Sequence, residues 1–534
     1  MPLIKKIITI SVILFFITSF LSGCIFEDIL GLNNFSLDSW NVCDNEGFPA
    51  LNITFSCKKT VNLKIISPGS IVIDNDFFFI GKHSAFLNIG NYRSNPSPGT
   101  YHLKAYDTDN NELFSKSFSF KGAKLQISSI EQKWWKNQDD KYSLLGFRIN
   151  TKNTGDLVAY PYKLYVTMDT EGSSLTLPVN ILPGESKYIE SIYYKEAAPK
   201  ADTFTVKIKD KDEETLASSS DEIDVEGNVD TQEYKLKYNS GTRYPEIPKA
   251  DFLYDYYSNL KRTNYEDYSL YVFDPYDDSY IDIVLDCIFY GLSFSKNSDK
   301  INYIVSLAQN LDYSADSETD SSYEYPRYPV ETLFNGRSGG GDCEDKAILT
   351  VSLIEKFDFN VSLFRFPNHM AVGVELAKSE IPYYDYYFDN YFFLETTTEG
   401  KPCGFVPNEY RDSVSDVTVY EIKSRALLTH DWLDDSLTIY TNTERGDLVK
   451  IVVFVENRGT DDAYSVKLIG GFYKYSGLKV NSEEETIPLI KANDKKKLSF
   501  TVSIPQSFET WFKTRIYYDY QIIDEKESYS SFPT

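Results

Sequence analysis

Apolar and polar residues alternate with a period of two along much of the chain, as at 50–56, 61–66 and 101–106. Turn-forming clusters such as Ser94-Asn95-Pro96-Ser97-Pro98-Gly99 separate these runs. Alternation of this kind predicts half-buried strands. It fills residues 33–122, returns over 123–230 and returns again over 430–534, so three β-sandwich modules are expected. Two of them share a plan. Runs at 144–151 and 451–456 lead to the turns Asn153-Thr154-Gly155-Asp156 and Asn457-Arg458-Gly459-Thr460, and each turn is followed by a further run, 162–168 and 464–469. A repeated order of strand, turn and strand points to related units. Asp107-Thr108-Asp109-Asn110-Asn111-Glu112 begins like a calcium loop, but Glu112 stands where such a loop needs Gly and Phe118 where it needs Glu. It reads as a hairpin turn.

The period changes over 235–425. Helical spacing of apolar residues predicts helices over 252–260, 281–290 and 301–311. A fourth follows Gly339-Gly340-Gly341, with apolar positions at Ala347, Ile348, Val351, Ile354 and Phe357. Strands are then expected at 361–366, 369–376 and 391–394. A helix followed by antiparallel strands is an α+β layout. The fold class expected is therefore multidomain, with all-β sandwiches flanking a central α+β domain.

The first residues read as a targeting segment. Lys5 and Lys6 precede an apolar run, 7–20, and then Leu21-Ser22-Gly23-Cys24. A basic start, a short apolar stretch and small residues describe a signal peptide over 1–23. The ending resembles a lipobox, in which Cys24 would carry a lipid; ordinary cleavage and an uncleaved anchor helix are the alternatives. On any of these readings the rest lies outside the cytoplasm, and lipidation would hold it on the outer face of the cell membrane. The formal net charge of −25 repels phosphate backbones and so argues against nucleic acid. In an oxidising compartment Cys43 and Cys57 are candidates for a disulfide, Cys287 and Cys403 pair or stay buried, and Cys343 is left over.

The leftover thiol carries the chemistry. A cysteine in the first turn of a helix feels the partial positive charge of unpaired backbone N–H groups, which favours thiolate, although Glu344 and Asp345 work against it. The glycines before it allow a sharp turn and a close approach of backbone to substrate. Only four histidines are present, and one of them, His369, opens a predicted strand. Glu395 ends the next long one. A nucleophile, a base and an acceptor that orients the base form a relay.

The stretches Gly341-Asp342-Cys343-Glu344-Asp345-Lys346-Ala347, His369-Met370-Ala371-Val372-Gly373-Val374 and Leu394-Glu395-Thr396-Thr397 resemble the transglutaminase-like superfamily of papain-like folds, in its archaeal and bacterial cysteine-peptidase branch. The β segments resemble immunoglobulin-like modules of secreted surface proteins. The resemblance implies a transglutaminase-like catalytic domain at 235–425 with Cys343, His369 and Glu395 as its triad. The family has Asp where this chain has Glu395, and Asp385 and Asp389 are alternative orienters. Because related folds place an oxyanion donor upstream of the nucleophile, Gln309 is a candidate. The implied activity is thiol hydrolysis of peptide or isopeptide amides of a protein or peptide substrate. The alternatives are transfer of a glutamine acyl group to an amine, which cross-links proteins, and a non-catalytic envelope adhesion protein.

No cofactor is implied. No two histidines lie at ligand spacing and no C-x-x-C pair occurs, so no metal is expected. Asp274, Asp277, Asp278 and Asp282 read as a solvated acidic face in preference to a calcium site. Trp134 and Trp135 read as packing residues in preference to a contact patch.

Overall fold

The computed structural model describes residues 34–532 apart from 197–198, 239–240, 263–266, 317–324, 338, 433–436, 444–445 and 508. Cys24 and the targeting segment lie outside the described residues. The chain divides into two compact units, residues 34–124 with Asn153–Ala159 and Asn180–Glu185, and the remainder. Strand is the predominant secondary structure of the described chain, largely in antiparallel sheets consistent with sandwich modules.

In the first unit one sheet holds Phe35–Asn45, Phe48–Cys57 and Gly81–Asn88. A second holds Val72–Phe78, Val61–Ile66, Gly99–Tyr106 and Glu112–Phe120. Burial alternates along Val61–Ile66 as the sequence pattern requires, and Leu51, Ile53 and Phe55 of one sheet share a core with Leu63, Ile65 and Leu103 of the other. Asp107 accepts from the N–H groups of Asp109 and Asn111 at 3.0 and 2.9 Å, which closes a hairpin turn. Cys43 and Cys57 are both free thiols. The expected disulfide is absent because register separates them: Cys43 lies opposite Ala50 and Cys57 opposite Phe35, at opposite ends of one ladder. Cys287 and Cys403 are also unpaired.

The second unit begins with two further sheets, Leu125–Lys136 with Tyr142–Asn153 and Ser186–Lys195, and Glu171–Leu175 with Lys163–Thr167, Thr203–Lys209 and Thr215–Glu222. Trp134 and Trp135 are buried. The C-terminal part pairs Gly446–Asn457 with Leu428–Trp432, Thr438–Thr443 and Asp494–Ser503. Its other sheet runs Lys479–Ile490, Ala463–Tyr473, Thr510–Tyr518 and Gln521–Phe532.

The repeated turn seen in the sequence is also repeated as hydrogen bonds. Asn153 donates at 2.8 Å to the carbonyls of Leu157 and Ile181 and accepts from the Gly155 N–H. Asn457 donates to Asp461 and Ile490 at 2.8 and 3.1 Å and accepts from the Gly459 N–H. Both asparagines are 0% exposed, so each satisfies backbone groups that water cannot reach.

The central region contains helices α1 (Asp251–Ser258), α2 (Asp278–Phe289), α3 (Asn297–Asn310), α4 (Pro329–Phe334) and α5 (Cys343–Glu355). Its four-stranded antiparallel sheet has the order Tyr391–Leu394, His369–Glu375, Val361–Phe366, Thr418–Ile422. α5 packs across the Val361–Phe366 and His369–Glu375 strands and against α3 and α4. Its residues Ala347, Ile348, Val351 and Ile354 join Leu363, Val372 and Leu394 in one core.

The acidic cluster at α2 is a solvated face only in part: Asp282 is exposed and Asp278 half-buried, but Asp277 is not on the surface. Asp277 is 3% exposed, with one carboxyl oxygen lacking a hydrogen-bond partner. Burial pushes its pKa well up, and Asp274 and Asp278 add to that. Asp274 accepts from the Tyr257 hydroxyl at 2.7 Å, and Asp278 pairs with Lys356, so these two acids have different partners.

The asparagine turns predict a measurable penalty. Replacing Asn153 or Asn457 by Ala leaves buried backbone groups unsatisfied, at about 1–3 kcal/mol for each such group. The expected result is a lower urea midpoint with an unchanged slope. An unchanged midpoint would mean that these turns hold without the amide.

Candidate active site

Cys343 is the first residue of α5, and the chain before it is shaped by its own packing. Gly339 has φ +68°, a conformation that favours glycine. Gly340 and Gly341 pair in parallel with Asp312 and Tyr313. A side chain at Gly341 would run into Asp345. The glycines therefore serve the close approach of two segments of this chain, where the sequence suggested room for a substrate.

The start of α5 is fixed by charge. The Asp342 N–H donates to the Asp345 carboxylate at 3.3 Å within a capping box. Arg327 donates its backbone N–H to Asp345 at 2.7 Å, and its guanidinium bridges Asp345 and Asp316. All three side chains are nearly inaccessible, at 5%, 0% and 4% exposure, so these partners compensate one another. Lys346, also buried, donates to the Leu311 carbonyl at 2.8 Å.

The sulfur of Cys343 lies within hydrogen-bond reach of the Met370 backbone N–H, on the strand that His369 opens. The thiol itself donates to Glu344 at 3.2 Å. Burial pushes its pKa well up, the charges of Glu344 and Asp342 push it further, and the Met370 N–H pulls the other way. The helix terminus does not by itself deliver a thiolate here.

Across the sheet, His369 Nε2 and Glu395 Oε2 are 3.3 Å apart. Strand register explains the meeting. The ladder ends with Val372 opposite Leu394. One further step sets Glu395 opposite Ala371, which faces the same side as His369. The other carboxylate oxygen accepts from the N–H groups of Thr397 and Thr398, at 2.8 and 3.2 Å, and from the Thr397 hydroxyl. Burial alone would raise this carboxyl, but the bonds from His369 and Thr397 outweigh it and hold the pKa at about 2. The turn after Glu395 closes around this side chain. Asp385 is exposed and paired with Lys378, and Asp389 sits on an exposed turn.

His369 is set apart from the other three histidines. His430 has Nδ1 on Asp524 and Nε2 on Thr514, each at 2.7 Å. His83 and His102 hold a carbonyl and a serine in the first unit. In His369 Nε2 is engaged with Glu395, and no hydrogen bond joins Nδ1 to a described residue. Its ring stacks on Tyr410 with centroids 4.8 Å apart and planes 11° apart. Tyr410 and Tyr313 lie within electrostatic range of Cys343. Sequence reasoning missed Tyr410, Arg327 and Thr397. Thr397 stands in the quoted Glu395 motif and was readable there, whereas Tyr410 is one of 42 tyrosines and carries no local mark.

Gln309 is not placed to serve an oxyanion. Its amide donates at 2.8 Å to the carbonyls of both Glu395 and Lys401 and accepts from the Gly400 N–H at 3.0 Å. Both amide hydrogens are spent on holding the loop that carries Glu395. The ligand atoms of Asp342, Cys343 and Glu344 lie within 4.8 Å of one another, the one such trio among the described residues. The thiol's hydrogen bond to Glu344 joins two of the three.

No protein-family model matches the sequence, and no curated protein matches it. Structural likeness extends to a transglutaminase of red sea bream, with 9% identity and a TM-score of 0.18 over 72% of this chain and 80% of that one. It extends also to a tetra-tandem repeat from the extending region of a large adhesion protein, with 9% identity and a TM-score of 0.17 over 92% and 97%. A glycoside hydrolase family 2 β-glucuronidase shares 11% identity at a TM-score of 0.15 over 32% and 21%. Likenesses this faint carry no argument about function.

Two tests follow from the geometry. Arg327→Ala strands the Asp345 and Asp316 carboxylates, and a loss of about 3–5 kcal/mol is expected in urea unfolding. Glu395 is held below its unfolded value, so it stabilises the fold above a pH of about 4.3 and loses that effect as pH falls toward about 2. The stability gap between wild type and Glu395→Gln should be flat above that window and shrink within it. A gap independent of pH would contradict the assigned partners.

Proposed function

We propose that this chain is a thiol hydrolase of the cell surface that cleaves peptide or isopeptide amide bonds through an acyl-enzyme on Cys343. The observation that carries the reading is the His369–Glu395 hydrogen bond, on the strand whose Met370 N–H reaches the cysteine sulfur. Under this reading residues 235–425 are a transglutaminase-like domain of papain-like fold, and the sandwiches are immunoglobulin-like spacers. Support for a surface location comes from Lys5, Lys6, the apolar run after them and the Leu21-Ser22-Gly23-Cys24 ending, with a lipid on Cys24 as the anchor.

The chemistry follows from which nitrogen is engaged. With Nε2 on Glu395, Nδ1 takes the proton of Sγ as sulfur attacks the substrate carbonyl. The imidazolium then gives that proton to the departing amine. A water, deprotonated at the same nitrogen, attacks the thioester, releasing the acid and restoring the thiol. Glu395 stays ionised throughout, fixing the ring tautomer and stabilising the imidazolium. The Cys343 N–H, in the unpaired first turn of α5, is the donor nearest a developing oxyanion.

Cys343→Ala is expected to lose peptide turnover together with labelling of that position by iodoacetamide. His369→Ala should lower kcat/KM by about a hundredfold or more. Full turnover by Cys343→Ala would end the reading. Incorporation of a fluorescent amine in preference to hydrolysis would redirect it to a cross-linker. No turnover of any peptide by the wild type would favour a binding module.

A further inference from the structure

The partner of the Cys343 proton in this structure is Glu344, and the proposed relay makes no use of it. Glu344 is 5% exposed, and its Oε2 is 3.2 Å from Sγ. The groups around the sulfur are unevenly charged. From its own helix come Asp342 and Glu344. Tyr313 comes from the Asp312–Tyr313 strand, and Tyr410 from the turn at Asn408–Tyr410. The His369–Glu375 strand contributes the Met370 N–H. A carboxylate that accepts from S–H stabilises the neutral thiol and opposes the thiolate, by hydrogen bonding and by like charge together.

We propose that Glu344 is a brake on the nucleophile: it holds the Cys343 proton in the resting state, and His369 receives that proton only once the Glu344 carboxylate leaves the sulfur. The step is a proton transfer with its charges balanced. The hydrogen bond from S–H to Oε2 breaks, the S–H proton passes to His369 Nδ1, and a thiolate and an imidazolium result. The consequence for turnover rests on the reading of Cys343 as the nucleophile, but the brake acts on the free thiol and is measurable without a substrate.

The experiment is iodoacetamide alkylation of the full chain across pH, with modification of the Cys343 peptide followed by mass spectrometry so that the other thiols do not contribute. Glu344→Gln keeps the shape and removes the charge. It should raise the alkylation rate at neutral pH by about tenfold or more, the effect of a drop of about one unit in thiol pKa. An unchanged or slower rate in a variant with a native circular dichroism spectrum overturns the proposal. A second measurement needs no change at 344: the ultraviolet thiolate absorbance of the wild type against Cys343→Ser should be absent at neutral pH. A thiolate already formed there overturns the proposal equally. A gain that survives in Glu344→Gln/His369→Ala supports the brake while counting against His369 as acceptor, so the two readings fail separately.

Discussion

The buried ion pair between Arg327 and Asp345 is the constraint on which the central region turns. It ties the chain just before α4 to the third residue of α5, and so decides where the helix that begins with Cys343 can start. Neighbouring contacts extend the tie. Arg262 pairs with Glu331 and donates to the Pro326 carbonyl at 2.8 Å. Arg458, in the C-terminal sandwich, donates to the Tyr328 hydroxyl at 2.7 Å, and the Tyr328 ring stacks on Tyr257 at 4.1 Å. Guanidinium groups suit this work because their donors lie in a rigid plane and keep their charge when buried. The C-terminal strands are thus wired through segment 325–331 to the base of the helix that begins with Cys343.

The buried carboxylates of the candidate site live in two different environments. Glu395 is surrounded by donors, so it stays ionised in spite of its burial. Asp342 and Glu344 are buried beside one another with fewer donors, and their pKa values are pushed up, burial being the larger cause for both. Hydrogen-bond supply, more than depth, separates the two cases. That division puts fixed negative charge where an imidazolium would need it. It puts a titratable acid where it touches the sulfur.

Much of this architecture was legible in the chain. The helices at α1, α2, α3 and α5 follow from apolar spacing that a surface helix needs in order to bury one face. The Asn-x-Gly turns were visible as a repeat because each needs the same amide and the same absent side chain. Helix start and strand start for Cys343 and His369 were visible for similar local reasons. Readings that depended on a distant partner fared less evenly. Cys43 and Cys57 are near in sequence yet far along their ladder. Gln309 stands upstream of Cys343, but spends its amide on the Glu395 loop. Asp277 looks like surface in the sequence and is buried.

The sequence by itself determined where strands and helices form, since periodicity and turn chemistry are properties of a few consecutive residues. It also determined which side chains were available for chemistry, because four histidines and six cysteines leave little choice. Tertiary structure alone decided which of them meet. Sheet register chose Glu395 over Asp385 and Asp389 for His369. Partnership across long sequence separations is set by packing and by the need to satisfy buried polar groups, and neither is written in any single stretch of the chain.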